Sequence, residues 1–213
     1  MGQKVFFDVM VSLDGFMAPE GMTMDHLNEP DYKHWRQKWG ELTKWVFRQQ
    51  FFRENLKLGS GGEVGDENRL LEETFNRTGA SILGKRMFEA GERMWPENAP
   101  FHTPVMVLTH QLREAWERPG GTTFVFVNDG IESALSQARK AAGEKDVRIA
   151  GGANVVQQYL NAGLVDEFTI HHTPVCFGEG VPLFSGTNDA MNLRIKRALL
   201  SSDVTHVTYE PIR

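Results

Sequence analysis

The sequence predicts an α/β fold: a mostly parallel sheet with helices on both faces and an antiparallel hairpin at one edge. Three observations predict it. Short apolar, β-prone runs alternate with longer runs whose apolar residues recur at helical spacing. Several short runs end in a glycine or polar turn before the next helix. The chain then closes with two β-prone segments around Ser202 and Asp203, which read as a hairpin. Its 213 residues, 40% of them hydrophobic, suffice for one domain spanning 1–213 with a sizeable core.

Residues 4–11 are the first strand, and the apolar part of this N-terminus is too short for a signal peptide. Residues 12–18, SLDGFMA, form the turn at its C-terminal end, where ligands gather in open α/β sheets. Met17, Met22 and Met24 follow one another closely. Such a loop either closes over a flat ligand or tucks its methionines under itself. Residues 31–56 read as one long helix, with Trp35, Trp39, Leu42 and Val46 on a buried face and Asp31 as its N-cap. That face packs on the sheet or, being broad, meets a second subunit. Residues 58–65 hold four glycines and form a flexible link to a helix over 67–78.

Residues 80–83 are a short buried strand. Gly84 ends it, Lys85 and Arg86 follow, and a helix starts near Met87. Residues 95–104 are a Pro-rich loop. Residues 105–109 form another strand, ending in Thr109, His110 and Gln111, and a short helix is expected over 112–116. A strand over 122–127 and a helix over 131–142 come next. Residues 147–150 then run into Gly151-Gly152, a helix with Val155, Val156, Tyr159 and Leu160 inward, and a strand over 168–173. The hairpin occupies 193–201 and 204–209.

Composition excludes several classes. A net charge of −5 gives no general attraction to nucleic acid or to an anionic membrane. No apolar run approaches the roughly 20 residues of a membrane span. The single Cys176 rules out an internal disulfide, suits a reducing cytoplasm, and reads as a buried, inert thiol. His171 and His172 are not read as a metal site, because adjacent strand residues diverge.

The turns point to a nucleotide. Asp14-Gly15, Gly84 to Arg86, Thr109-His110 and Gly151-Gly152 all fall at strand C-termini, which share one rim in a parallel sheet. The two glycines let backbone approach a ligand, and the new helix aims free N–H groups at it, which suits phosphate.

The stretch from Gly151 to Phe184, GGANVVQQYLNAGLVDEFTIHHTPVCFGEGVPLF, resembles the C-terminal half of the dihydrofolate-reductase-like family. In particular it is similar to the reductase domain of bacterial riboflavin biosynthesis, the RibD C-terminal domain. LDGFMA, ILGKRMFEAG and VMVLTH extend the resemblance over nearly the whole chain. It implies a three-layer α/β/α fold of that type, a stand-alone reductase, NADPH as cofactor and a homodimer. It also implies that Gly84, Lys85, Arg86 and Met87 lie along the pyrophosphate or 2′-phosphate. Thr109 and His110 would lie near the adenosine 2′-phosphate, with Arg113 a further cation. Gly151, Gly152, Ala153, Asn154 and Val155 would receive the pyrophosphate, and Met17 and Ala18 would border the nicotinamide.

The resemblance implies hydride transfer to a pteridine-, pyrimidine- or flavin-like ring or a related carbonyl or imine. A nucleotide-binding protein without catalysis is the alternative. Asp14 and His171 are the candidates for a polar group or proton donor at the ring, each with a structural role as its alternative. Departures from the family pattern are Met87 in place of the usual Thr, and an enlarged helical region about 31–65. No counterpart is recognised for the helix carboxylate that binds the pterin; Asp25 and Asp31 fall near its place.

Overall fold

A computed structural model of the chain describes residues 2–21, 30–187 and 191–212. The strands are β1 Val5–Val11, β2 Phe16–Ala18, β3 Thr78–Gly84, β4 Pro104–Leu108, β5 Trp116–Arg118, β6 Thr122–Val127, β7 Asp146–Gly151, β8 Glu167–His172, β9 Val181–Pro182, β10 Leu193–Leu200 and β11 Thr205–Pro211. The helices are α1 Pro30–Arg48, α2 Gln50–Asn55, α3 Asp66–Arg77, α4 Lys85–Met94, α5 Ile131–Ala142 and α6 Ala153–Asn161. The main sheet has the order β10-β11-β8-β1-β7-β3-β4-β6-β5, and β2 pairs with β9 apart from it. Strands β8, β1, β7, β3, β4 and β6 are mutually parallel. The hairpin β10–β11 runs antiparallel beside β8, and β5 runs antiparallel beside β6.

Alternation along each strand divides the side chains between two layers. Val5, Phe7, Val9 and Val11 join Ile82, Ile149 and Ile170 under α5 and α6. On the other face Leu83, Val105, Val107 and Phe124 pack around Phe88 of α4. Trp45 and Val46 of α1 and Leu71 of α3 cover the sheet near the hairpin, where Val204 and Met10 meet them. Parallel strands need both faces covered, and these helices do it.

One staple joins strands at the end opposite the glycine turns. Glu167, 4% exposed, accepts from Lys4 Nζ at 2.6 Å, Lys196 Nζ at 2.6 Å and Arg77 Nη1 at 2.7 Å. Burial pushes this carboxyl up, but the hydrogen bonds from Lys196, Lys4 and Arg77 outweigh it and hold the pKa at about 2.

The structure corrects several expectations. The helix expected over 31–56 breaks at Gln49, whose φ of −73° and ψ of 132° are extended. Its buried amide donates to Trp45 O at 3.0 Å and to Glu67 Oε2 at 3.1 Å, so a tertiary contact fixes the break. Residues 112–116 form no helix. The chain there runs into edge strand β5, because Trp116 pairs with Phe124 and stacks on it at 5.6 Å. Thr109 accordingly caps a local turn, its Oγ1 accepting from Gln111 N at 3.1 Å. Cys176 is exposed rather than buried, since the loop turns its neighbour Phe177 inward. Helix α1 already begins at Pro30, so Asp31 is its second residue rather than its N-cap. Met22, Met24 and Asp25 lie outside the described residues, as does the side chain of Asp31.

Candidate functional site

Strands β1, β7, β3 and β4 are consecutive in the sheet and parallel, so their C-terminal turns stand side by side. At about 4.8 Å per strand the four span roughly 14 Å of one rim. The turns are residues 12–15, Gly151-Gly152, Gly84-Lys85 and Thr109-His110.

At the centre, backbone segments nearly touch. A Cβ built on Gly84 would sit 2.9 Å from Val155 Cγ2 and 3.9 Å from both Gly151 O and Gly152 N. Gly151 has φ +119°, a region L side chains rarely adopt, and its bond to Gly152 is cis. A Cβ there would lie 3.4 Å from Met87 Sδ, so the methionine covers this glycine.

Two helices begin here. The N-caps of α6 and α4 are Gly152 and Gly84; neither helix has a side-chain cap or an acidic residue in its first turn. The first N–H groups of an uncapped helix have no intrahelical acceptor, and the dipole adds partial positive charge. Ala153, Asn154 and Val155 lead α6, with Val155 N already donating to Gly152 O at 3.0 Å, while Lys85, Arg86 and Met87 lead α4. The chemistry of this corner is anion binding.

The structure sorts the expected cations. Arg86 is exposed and has no ion pair among the described residues. Lys85 Nζ is 3.4 Å from Glu89 Oε1, a loose surface contact. Arg113 is committed elsewhere: it donates to both Glu92 oxygens, at 3.1 and 2.5 Å, and lies over Phe88, Phe126 and Trp116. His110 is exposed beside Thr109.

Asp14 acts as an anchor. Its carboxylate accepts from Ser12 Oγ at 2.5 Å, Phe177 N at 3.0 Å and Gly178 N at 2.7 Å. Burial raises its pKa, but the bonds from Ser12, Gly178 and Phe177 outweigh that and hold it below the usual carboxylate range. Leu13 N donates to Val175 O at 2.7 Å, and Leu183 N donates to Gly15 O at 3.1 Å. Together these bonds fuse the turn after β1 to the loop after β8. Strands β2 and β9 pair within this flap, Ala18 opposite Val181, and place Met17 and Ala18 half-buried at its end. Lys38 of α1 donates to Phe177 O at 2.9 Å, a link to the rim that helical spacing alone does not reveal.

His171 does not open onto the rim. It is 4% exposed, covered by Trp45, with its Nδ1 2.7 Å from His206 Nδ1. The geometry thus gives both proposed catalytic groups structural partners. His172 is half-buried on the opposite face, and burial, then the charge of His171, lowers its pKa. Away from the rim, a cleft of about 350 Å³ is lined by Phe47, Arg48, Arg53 and residues 60–63. It includes none of the rim residues.

A parallel sheet whose glycine turns and uncapped helices share one rim is the frame of a dihydrofolate-reductase-like protein. Dihydrofolate reductase from Enterococcus faecalis, in complex with NADP(H) and RAB-propyl, superposes with a TM-score of 0.55 at 14% identity, over 99% of this chain and 97% of that one. A protein from Shewanella sp. PV-4, assigned provisionally to riboflavin biosynthesis, superposes with a TM-score of 0.63 at 20% identity, covering 99% of this chain and all of that one. The chain belongs to the RibD C-terminal domain family, whose model matches residues 3–207. The Bacillus subtilis (strain 168) protein YwjB, itself uncharacterised, is 34% identical over 196 residues, covering 92% of this chain and 91% of YwjB.

Proposed function

We propose that the protein is an NADPH-dependent reductase of a flat, nitrogen-rich ring: pteridine-, pyrimidine- or flavin-like, or a related carbonyl or imine. One observation carries the reading. Gly84, the Gly151-Gly152 turn and two uncapped helix N-termini meet at one corner of the rim, and Arg86, with no ion pair among the described residues, stands in the first turn of α4 there.

The residues present fit the cofactor. The missing Cβ of Gly84 lets the start of α4 lie against Val155 and the Gly151-Gly152 backbone, and the groups this close approach brings together are N–H donors and cations, which suit phosphate. Gly151, Gly152, Ala153, Asn154 and Val155 would hold the pyrophosphate. Gly84, Lys85, Arg86 and Met87 would flank a phosphate, with Arg86 the strongest candidate cation. Thr109 and His110 would border the adenosine 2′-phosphate, which favours NADP over NAD. Met17 and Ala18, on the flap anchored by Asp14, would border the nicotinamide and exclude water. NADPH, when bound, supplies the hydride. The chain supplies position, a dry surface and a preformed anion site.

A second reading is a non-catalytic NADP(H)-binding protein. It is favoured by Asp14 and His171, the candidate polar groups, both having structural hydrogen bonds. The test is in two stages. NADPH is titrated while quenching of tryptophan fluorescence is followed. Pteridines, flavins and quinones are then screened for loss of reduced-nicotinamide absorbance. Binding with turnover supports the reductase, binding without turnover supports the second reading, and no binding overturns both.

The proposal includes a cytoplasmic homodimer. Strand β10 ends the sheet, with Ile195 62% and Leu200 79% exposed, and such an unpaired edge suits a second copy. Sedimentation analysis decides the oligomeric state.

A further inference from the structure

We infer that the His171–His206 pair is an acid-sensitive latch that holds α1 and α3 against the hairpin edge of the sheet. The geometry sets a limit on protons. The two Nδ1 atoms are 2.7 Å apart, so one must carry a proton and the other a lone pair.

The surroundings decide which is which. His206 Nε2 lies 3.1 Å from Glu67 Oε1. Glu67 already accepts from Ser201 Oγ at 2.7 Å and Gln49 Nε2 at 3.1 Å, so its oxygens act as acceptors and His206 Nε2 donates. A neutral His206 then accepts at Nδ1 from His171. His171 Nε2 lies 3.9 Å from Asp8 Oδ2, and Asp8 is paired with Arg148 at 2.6 and 3.1 Å.

One extra proton therefore fits on the pair, at His171 Nε2 facing Asp8. A second cannot fit, because it sets N–H against N–H at 2.7 Å. The charged groups around the pair are Asp8 from β1, Arg148 from β7, Glu67 from α3 and Arg197 from β10, with His172 on the far face of β8. Burial, then the charges of His171 and Arg197, lowers the pKa of His206 to about 3, so the pair stays closed at neutral pH.

Opening has a defined reach. Trp45 of α1 covers both rings, at 5.0 and 4.9 Å between centroids, and is 1% exposed. A ring that swings away breaks the bond to Glu67 of α3 and uncovers Trp45. The other half of α1 holds Phe177 through Lys38, so the motion is relayed to the rim loop. Two protonated rings thus convert acid into release of a helix.

The test follows near-UV circular dichroism and tryptophan emission from pH 7 down to pH 3, with the Trp45→Phe variant isolating the contribution of Trp45. Far-UV circular dichroism reports secondary structure in parallel. The expected result is a reversible change in the Trp45 signal below pH 6.5, with far-UV signal retained. It should be absent in His206→Gln, whose amide cannot take the second charge. Should that variant not fold, histidine ¹⁵N spectra of the unmodified protein serve instead. They should show an unprotonated Nδ1 on His206 at pH 7, and the pair separating as both rings become cationic. The inference is overturned if the Trp45 signal stays constant, if near- and far-UV signals are lost together, if His206→Gln keeps the transition, or if His206 carries a proton on Nδ1 at pH 7.

Discussion

Glu167→Gln tests the staple at the end of the sheet opposite the glycine turns. It removes one charge from a carboxylate that three cations surround, with little change in volume. Glu167 is 4% exposed, so solvent screens the interaction weakly. Lowering its pKa from 4.5 to about 2 corresponds to about 3 kcal/mol, at about 1.4 kcal/mol per tenfold change. Because the folded value lies below the unfolded one, this stability is fully present above pH 4.5 and is lost as the pH falls toward 2. At pH 3 roughly 1.4 kcal/mol of it remains, taking about 2 folded and 4.5 unfolded. Urea unfolding of the two proteins at pH 7 and pH 3 measures the difference. The variant should be less stable by about 3 kcal/mol at pH 7 and by about half that or less at pH 3. A deficit under about 1 kcal/mol at pH 7, or one equal at both pH values, would refute the electrostatic account.

The other predictions concern the rim. Gly84→Val presses a side chain against Val155 Cγ2, only 2.9 Å from the first added carbon, and must push α4 away from the Gly151-Gly152 turn, so calorimetric titration should show NADPH affinity reduced by at least about tenfold, or about 1.4 kcal/mol. A variant that melts normally and still binds fully would remove Gly84 from the site. Arg86→Gln should weaken NADPH several-fold more than NADH, with a shallower salt dependence; equal losses would show that Arg86 does not meet the 2′-phosphate. Asp14→Ala removes the acceptor shared by Ser12, Phe177 and Gly178, and should loosen the flap, seen as faster amide exchange at residues 177–183. Unchanged exchange there would show that the loop holds itself.

Much of the fold was legible because it is local. The helix over 131–142 agrees with α5 to the residue, and the strand over 122–127 agrees with β6. Each has its own periodicity and a glycine boundary. The alignment of the four turns was also legible, because parallel strands must present their C-termini on one side. The break at Gln49 was not legible, because a buried amide bond to Glu67 of another helix fixes it. Nor was β5, which depends on Trp116 stacking against Phe124 of a neighbouring strand.

The same division holds for the side chains of the site. Sequence offered Asp14 and His171 as polar groups at the ring and Arg113 as a further cation, and left their partners open. Only the folded chain gave Asp14 to the Phe177-Gly178 backbone, His171 to His206, and Arg113 to Glu92. Alone, the sequence determined the order of most elements and the rim where their turns meet, since backbone geometry and hydrophobic period act over short distances. The tertiary structure decided which charges and donors remain unpaired at that rim. The reason is physical: a polar group's partner is set by distance in space, and residues such as Asp14 and Phe177 come together only when separate strands register side by side.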